Sequence, residues 1–191
     1  GKSWAWDAAK TTLTFQLEQG VKWHDGKPFT AKDVKCTFDL ISGIVQSDDF
    51  RKNPRKLWYH NVKEITTKGD HEVSFVLKAP QPSFMALLAS GYTPIYPCHI
   101  EQKQMRTNPV GTGPFKVTGR TPDQQTTLVP HAGWWGKPAH NLTEVTFRPI
   151  KADATRLAAI VSGEIDMMFP VAPQDVQRLS QTAGVRILTG Q

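Results

Sequence analysis

TLTFQLEQGVKWHDGKPFTAKDVKCTFDL, residues 12–40, changes its hydrophobic period along its length, and its reading decides how the chain is built. Leu13, Phe15 and Leu17 alternate with polar neighbours, the period of a half-buried strand. Val21 and Trp23 resume the alternation after Gly20, so a hairpin is expected here. Asp25-Gly26-Lys27-Pro28 is turn chemistry, in which Gly supplies a positive φ and Pro a fixed one. Thr30 is suited to cap a helix through its hydroxyl, and Asp33 lies three residues on, near the positive end of the helix dipole. Val34, Phe38, Ile41 and Val45 then form a narrow apolar stripe, which predicts a helix from residue 31 to about 45.

Outward from this stretch, Trp4 and Trp6 open the chain in a two-residue alternation. Residues 46–59 have no periodicity and read as a long loop closed by Leu57-Trp58-Tyr59. Residues 62–67 and 72–78 predict a second hairpin across Lys68-Gly69-Asp70, with Val73, Phe75 and Leu77 alternating. Prolines at 80 and 82 break the strand, Ser83 opens a short helix over 84–90, and 99–105 is a weaker helix candidate. Asn108 to Pro114 is a rigid segment with two glycines around Thr112.

Strands are expected over 115–119 and 126–129, a buried corner at Trp134-Trp135, and a longer strand over 142–150. Asp153 is the expected cap of a helix that Gly163 ends. A strand over 164–169, a helix over 173–182 and a strand over 185–188 complete a strand and helix alternation of the α/β kind. The organisation predicted is a hairpin-rich α+β part, residues 1–107, followed by an α/β part, residues 108–191.

Composition narrows the function. With 191 residues and 39% hydrophobic content the chain is long enough to bury a core. No apolar run approaches the eighteen residues of a membrane span. The first residues, GKSWAWDAAK, lack the pattern of a secretory leader. A net charge of +6 invites a nucleic-acid reading, but most Lys and Arg are separated by acidic or apolar residues. The densest run, four basic residues within 51–56, reads as a solvated loop. Cys36 and Cys98 allow one disulfide; with Cys36 opposite the apolar stripe of its helix, two free thiols are the preferred expectation.

Four blocks carry a resemblance. They are Thr14-Phe15-x-Leu17 with Gly20-Val21-Lys22-Trp23-His24-Asp25-Gly26 and Pro28-Phe29-Thr30-Ala31-x-Asp33-Val34; Asn108 through Phe115; Trp134-Trp135-Gly136-Lys137-Pro138; and Ser162-Gly163-Glu164-Ile165-Asp166. In this order and spacing the chain resembles the family 5 solute-binding proteins of ABC importers, which bind peptides and nickel. One departure is Glu18, where the family usually carries Lys or Arg. The resemblance implies a partial periplasmic-binding-protein type II-like α/β fold, with a small α+β lobe and the first α/β part of a large lobe. It implies an internal fragment or truncated form, a periplasmic or extracellular location, and association with the membrane through a permease partner. It permits peptide-like solutes, nickel chelates, opines or sugars, and no nucleic acid. The family's residues for a peptide's charged ends fall mostly beyond Gln191, so weak solute binding is expected of this chain alone.

The same resemblance nominates Tyr59 as an aromatic beside the solute, where its hydroxyl could orient a polar group under the ring. Trp58 is the neighbouring candidate, and the plainer reading of both is packing. Thr112 and Gly113 are the other ligand candidates, in a segment that resembles an inter-lobe crossover. No cofactor, metal site or catalytic residue is expected. The six histidines show no metal-ligand spacing, and His24 and Asp25, being adjacent, point to opposite faces. Glu164 and Asp166 could share a strand face, which leaves a hydrolase as a remote alternative. A truncated homologue acting as a protein-interaction module is the nearer one.

Overall fold

The computed structural model describes residues 1–46 and 56–189. Most of the 46–59 loop and of its basic run therefore lies outside the described residues. The chain divides into two compact units: one comprises Gly1–Arg120 and Thr127–Val145, the other Thr121–Thr126 and Thr146–Gln191.

The first unit is built on an antiparallel sheet of β1 (Ser3–Trp6), β2 (Thr12–Gln16), β3 (Val62–Lys68) and β4 (Glu72–Leu77), in the order β1-β2-β4-β3. Strand β4 is central because it alternates without interruption, with Val73, Phe75 and Leu77 all buried. Helix α1 (Ala31–Ser42) contributes Val34, Phe38 and Ile41 to the same core. Aromatic rings meet edge-on at its centre, Phe75 with Phe38 at 4.9 Å, with Phe84 at 5.7 Å and with Phe15 at 6.0 Å. Such pairs contribute about 0.5–1.5 kcal/mol each beyond the area they bury.

The expected hairpin between 12–17 and 21–23 does not form. Gly20 and Gly26 take φ of +73° and +86°, and the segment retains a single isolated bridge, Lys22 with Pro28. Strand β2 pairs instead with β1 and β4. Pro28 has no N–H and the two glycines turn the chain, so this segment cannot offer a ladder. Val21 and Trp23 are nevertheless buried.

Helix α1 ends three residues before the predicted limit, because Gly43 adopts a left-handed φ of +76° and closes the last turn. Thr30 N–H donates to Asp33 Oδ2 at 2.9 Å, the backward half of a capping box. The same carboxylate accepts the Trp23 indole N–H at 3.3 Å and, through Oδ1, the Cys98 backbone N–H at 3.0 Å. Thr37 Oγ1 accepts the Tyr96 N–H at 2.9 Å, so residues 96–98 are held along α1. This docking joins Cys36 to Cys98 in a disulfide spanning 62 residues, with Cα atoms 6.3 Å apart. The expectation of two free thiols is corrected, since the partner strip that covers the polar flank of α1 could not be placed from periodicity.

Past a 3-10 turn (Lys56–Tyr59), the shorter elements are α2 (Phe84–Leu88), α3 (Gln102–Met105), β5 (Phe115–Thr121), β6 (Gln125–Pro130) and β7 (Val145–Phe147). The second sheet has the order β5-β6-β7. The long strand expected over 142–150 is only the three residues of β7.

In the second unit, α4 (Asp153–Ser162) is capped by Ala152 rather than by Asp153, whose carboxylate instead accepts from the Arg156 guanidinium. Arg156 also donates to the Ile150 carbonyl at 2.7 Å, tying the chain that enters the helix to its first turn. A 3-10 turn (Pro173–Asp175) leads into α5 (Val176–Ser180). The strands expected over 164–169 and 185–188 do not form among the described residues, and Phe169 is 88% exposed. A strand exists only where a neighbour supplies its hydrogen bonds, and none of the described strands lies beside these two. The mixed α/β class stands without that parallel layer.

Candidate functional site

The first unit contains a cavity of about 360 Å³ beneath the start of the chain. Its walls are apolar: Phe15 and Leu17 from β2 and the residues after it, Phe38 from α1, Phe75 from β4, and Ile95. Its polar groups are few, with Thr93, Thr112 and Glu18 on the lining and Trp135 among the residues that border it. Apolar walls with a few placed polar groups, at the lower end of the roughly 300–1,000 Å³ of small-molecule sites, are the ordinary composition of a ligand pocket.

The segment that brings Thr112 to this cavity is fixed by one imidazole. The His24 backbone N–H donates to the Gly111 carbonyl at 2.9 Å, and Gly111 N–H donates back to the His24 ring at Nδ1 at 3.2 Å. Accepting at Nδ1 leaves the proton on Nε2, which donates to the Gly113 carbonyl at 3.0 Å. Thr112 is thus held between two anchored glycines. Its own carbonyl accepts the Trp135 indole N–H at 3.2 Å, which fixes a ring that is 53% exposed. Gly136 follows because a Cβ there would collide with the Trp134 ring. The Trp134-Trp135 corner is therefore only partly buried, contrary to expectation.

Behind His24, the ring of His131 lies at 5.0 Å, and its Nε2 is buried with no partner among the described residues. Desolvation by burial, followed by the charges of His24 and Lys116, holds His131 below the usual imidazole range. Asp25 points elsewhere, as adjacency predicted, to His99 Nε2 at 2.6 Å. Burial pushes the Asp25 carboxyl up. The His99 hydrogen bond, the Lys27 N–H and the charges of His99 and Lys27 outweigh it and hold the group below its ordinary value.

Of the four ligand candidates, Thr112 lines the cavity and Gly113 accepts a hydrogen bond from His24 through its carbonyl. Tyr59 is fully buried against Phe38, and its hydroxyl is 2.6 Å from Thr93 Oγ1. It is not on the lining, whereas Thr93, which its hydroxyl meets, is. Trp58 lies edge-on to Tyr92 at 6.2 Å and does not line the cavity. Thr93 was not singled out by sequence, and His24 and Trp135 were noted there only as a possible partner of Asp25 and as part of a buried corner, because their contacts reach across as many as 89 residues and leave no local pattern. Among the described residues no group of three or more His, Cys, Asp or Glu side chains could hold a metal. Glu164 pairs with Arg148 at 3.2 Å, and it and Asp166 are not on a strand.

The first unit thus joins a mixed sheet-and-helix core to an apolar, lightly polar cavity and to a segment that His24 holds at Gly111 and Gly113. The chain belongs to the bacterial extracellular solute-binding proteins, family 5, whose model for the middle region matches residues 1–191. Among curated relatives, the glutathione-binding protein GsiB of Escherichia coli K12 is 28% identical over 180 residues, covering 93% of this chain and 34% of that protein. The chain therefore spans about a third of the length of the curated relatives it matches.

Solved structures give the same picture. The oligopeptide-binding protein AppA of Bacillus subtilis, in complex with a nonapeptide, aligns with a TM-score of 0.82 at 28% identity, covering 95% of this chain and 36% of that one. AgaA of A. tumefaciens R10, in complex with agropinic acid, aligns with a TM-score of 0.85 at 25% identity and the same coverage. DppA of Helicobacter pylori, in complex with the peptide STSA, gives 0.81 at 25% identity, with coverage of 95% and 39%. The fold is that of the periplasmic binding proteins in partial form.

Proposed function

We propose that the chain is part of the solute receptor of an ABC importer, operating outside the cytoplasmic membrane and delivering a small solute to a membrane permease. The solute class is peptide-like, with nickel chelates and opines as neighbouring possibilities within the family. The lobes expected at 1–107 and 108–191 would close over the solute, because a ligand that touches both favours the closed state. Membership of family 5 over the whole chain is the observation that carries this reading. The relatives named above bind glutathione, peptides and agropinic acid by their own descriptions, and they are not enzymes by name.

Within this reading, Thr112 is the ligand candidate with the best support, being on the cavity lining and fixed at both flanks. Gly113 acts through its carbonyl as an anchor. Tyr59 acts through Thr93, keeping that hydroxyl oriented, and Trp58 contributes packing beside Tyr92.

The test is calorimetric titration of the protein encoded by the complete reading frame with glutathione, di- to nonapeptides and opines, alongside the 191-residue chain alone. Saturable binding by the former, with a contraction in small-angle scattering, is the expected result. Absence of binding by every solute class, together with concentration-dependent self-association in sedimentation, would favour the interaction-module reading instead.

A further inference from the structure

The cavity of the first unit has a charge pattern that the receptor reading does not use. Among the described residues its only charged side chain is Glu18, at a half-buried position directly after the buried Leu17. Glu18 forms no ion pair among the described residues, although the chain carries a net charge of +6 and cations outnumber carboxylates. Its carboxylate oxygens have no hydrogen-bond partner among the described residues and are not sealed from solvent, so they remain open to a cation. A ligand cation would supply the missing partner as a charge-assisted hydrogen bond. Trp135 borders the same lining, held in place by its bond to the Thr112 carbonyl, and adds aromatic surface to it. The remaining wall offers rings and aliphatic groups, with the Thr93 and Thr112 hydroxyls as its other polar side chains.

We propose that this cavity binds a hydrophobic primary amine, an aromatic or branched aliphatic group carrying a terminal ammonium, with Glu18 as the residue that selects the charge. The apolar part enters between Phe15, Phe38, Phe75 and Ile95, and the ammonium remains at Glu18. Selection is for the cation over the isosteric alcohol and against the isosteric carboxylate, which would meet Glu18 as a like charge. The site lies wholly within the first unit and rests on the receptor reading at the cavity that carries Thr112; failure of the amine preference alone would leave solute binding by the longer protein to its own calorimetric test.

The test uses the full chain titrated with 2-phenylethylamine, 2-phenylethanol and 3-phenylpropionate, followed by NMR at Thr93, Ile95, Thr112 and Trp135. The amine is expected to bind about tenfold more tightly than the alcohol, a ratio consistent with one charge-assisted hydrogen bond. The carboxylate is expected to bind most weakly. In Glu18→Gln the amine and alcohol should become equal while the affinity of the alcohol stays unchanged. In the unaltered chain, added salt should erode the preference, which provides a readout independent of any variant. Leu88→Trp, which places bulk on the lining, should abolish all three shifts. The proposal is overturned if none of the probes gives saturable shifts, if amine and alcohol bind equally, or if the preference survives in Glu18→Gln.

Discussion

Replacing Asp33 with alanine tests the centre of the first unit's architecture. The carboxylate is 5% exposed and accepts three hydrogen bonds, from Thr30 N–H at 2.9 Å, the Trp23 indole at 3.3 Å and Cys98 N–H at 3.0 Å. Trp23 is itself buried, so its indole N–H would be left without a partner, at a cost of about 1–3 kcal/mol. Loss of the capping interaction adds about 0.5–2 kcal/mol. The Cys98 N–H lies at an exposed position and recovers a bond from water, so it adds little. The sum is about 1.5–5 kcal/mol. Urea unfolding followed by tryptophan fluorescence should therefore show a midpoint lowered by that free energy, with an unchanged slope if only stability is affected. Asp33→Asn keeps one acceptor oxygen and should lose about half as much. A loss below about 0.5 kcal/mol for Asp33→Ala, the size of an ordinary surface change, would refute the hub.

Four further outcomes follow from the same geometry. Converting Cys36 and Cys98 to serine releases a 62-residue loop, and the chain-entropy relation gives a loss of about 4 kcal/mol, read as a midpoint shift that reducing agent reproduces in the parent chain. His131 titrates below the ordinary imidazole value because it is buried near His24 and Lys116, so the unfolded chain binds its proton first. Its contribution to stability is complete above about pH 6.5 and is lost as pH falls toward the lowered folded value, and His131→Phe should flatten that part of the stability profile measured by urea midpoints. His24→Ala removes both side-chain anchors of the crossover, and the Gly111 amide should exchange with solvent about tenfold faster or more, while amides in β4 keep their rates. Tyr59→Phe leaves the Thr93 hydroxyl without its buried partner and should cost about 1–2 kcal/mol in thermal or urea unfolding; no loss would mean that the 2.6 Å contact has no energetic weight.

Much of the first unit was legible along the chain because its signals are local. The alternation in 72–77 gives β4, the stripe Val34, Phe38 and Ile41 gives α1, and Gly43 and Gly163 end their helices by adopting φ near +76°. The failures share a cause. Residues 21–23 alternate, yet they pair only with 27–29 across a tight turn through a single bridge, and 164–169 and 185–188 are apolar without a neighbouring strand. Periodicity reports which face is apolar and says nothing about who supplies the hydrogen bonds.

The candidate site was less legible. Thr112 stood out because two glycines flank it, whereas Tyr59 looked like a contact residue and is a buried support for Thr93. By itself the sequence determined the helix, the central strands and, through the spacing of its four blocks, the family. Only the tertiary structure decided that β2 pairs with β4, that Cys36 meets Cys98, that His24 clasps Gly111 and Gly113, and that Glu18 lies on the lining of an apolar cavity. Local propensities act over a few residues, while each of these contacts joins segments about 50 to 90 apart and exists only once the core has brought them together.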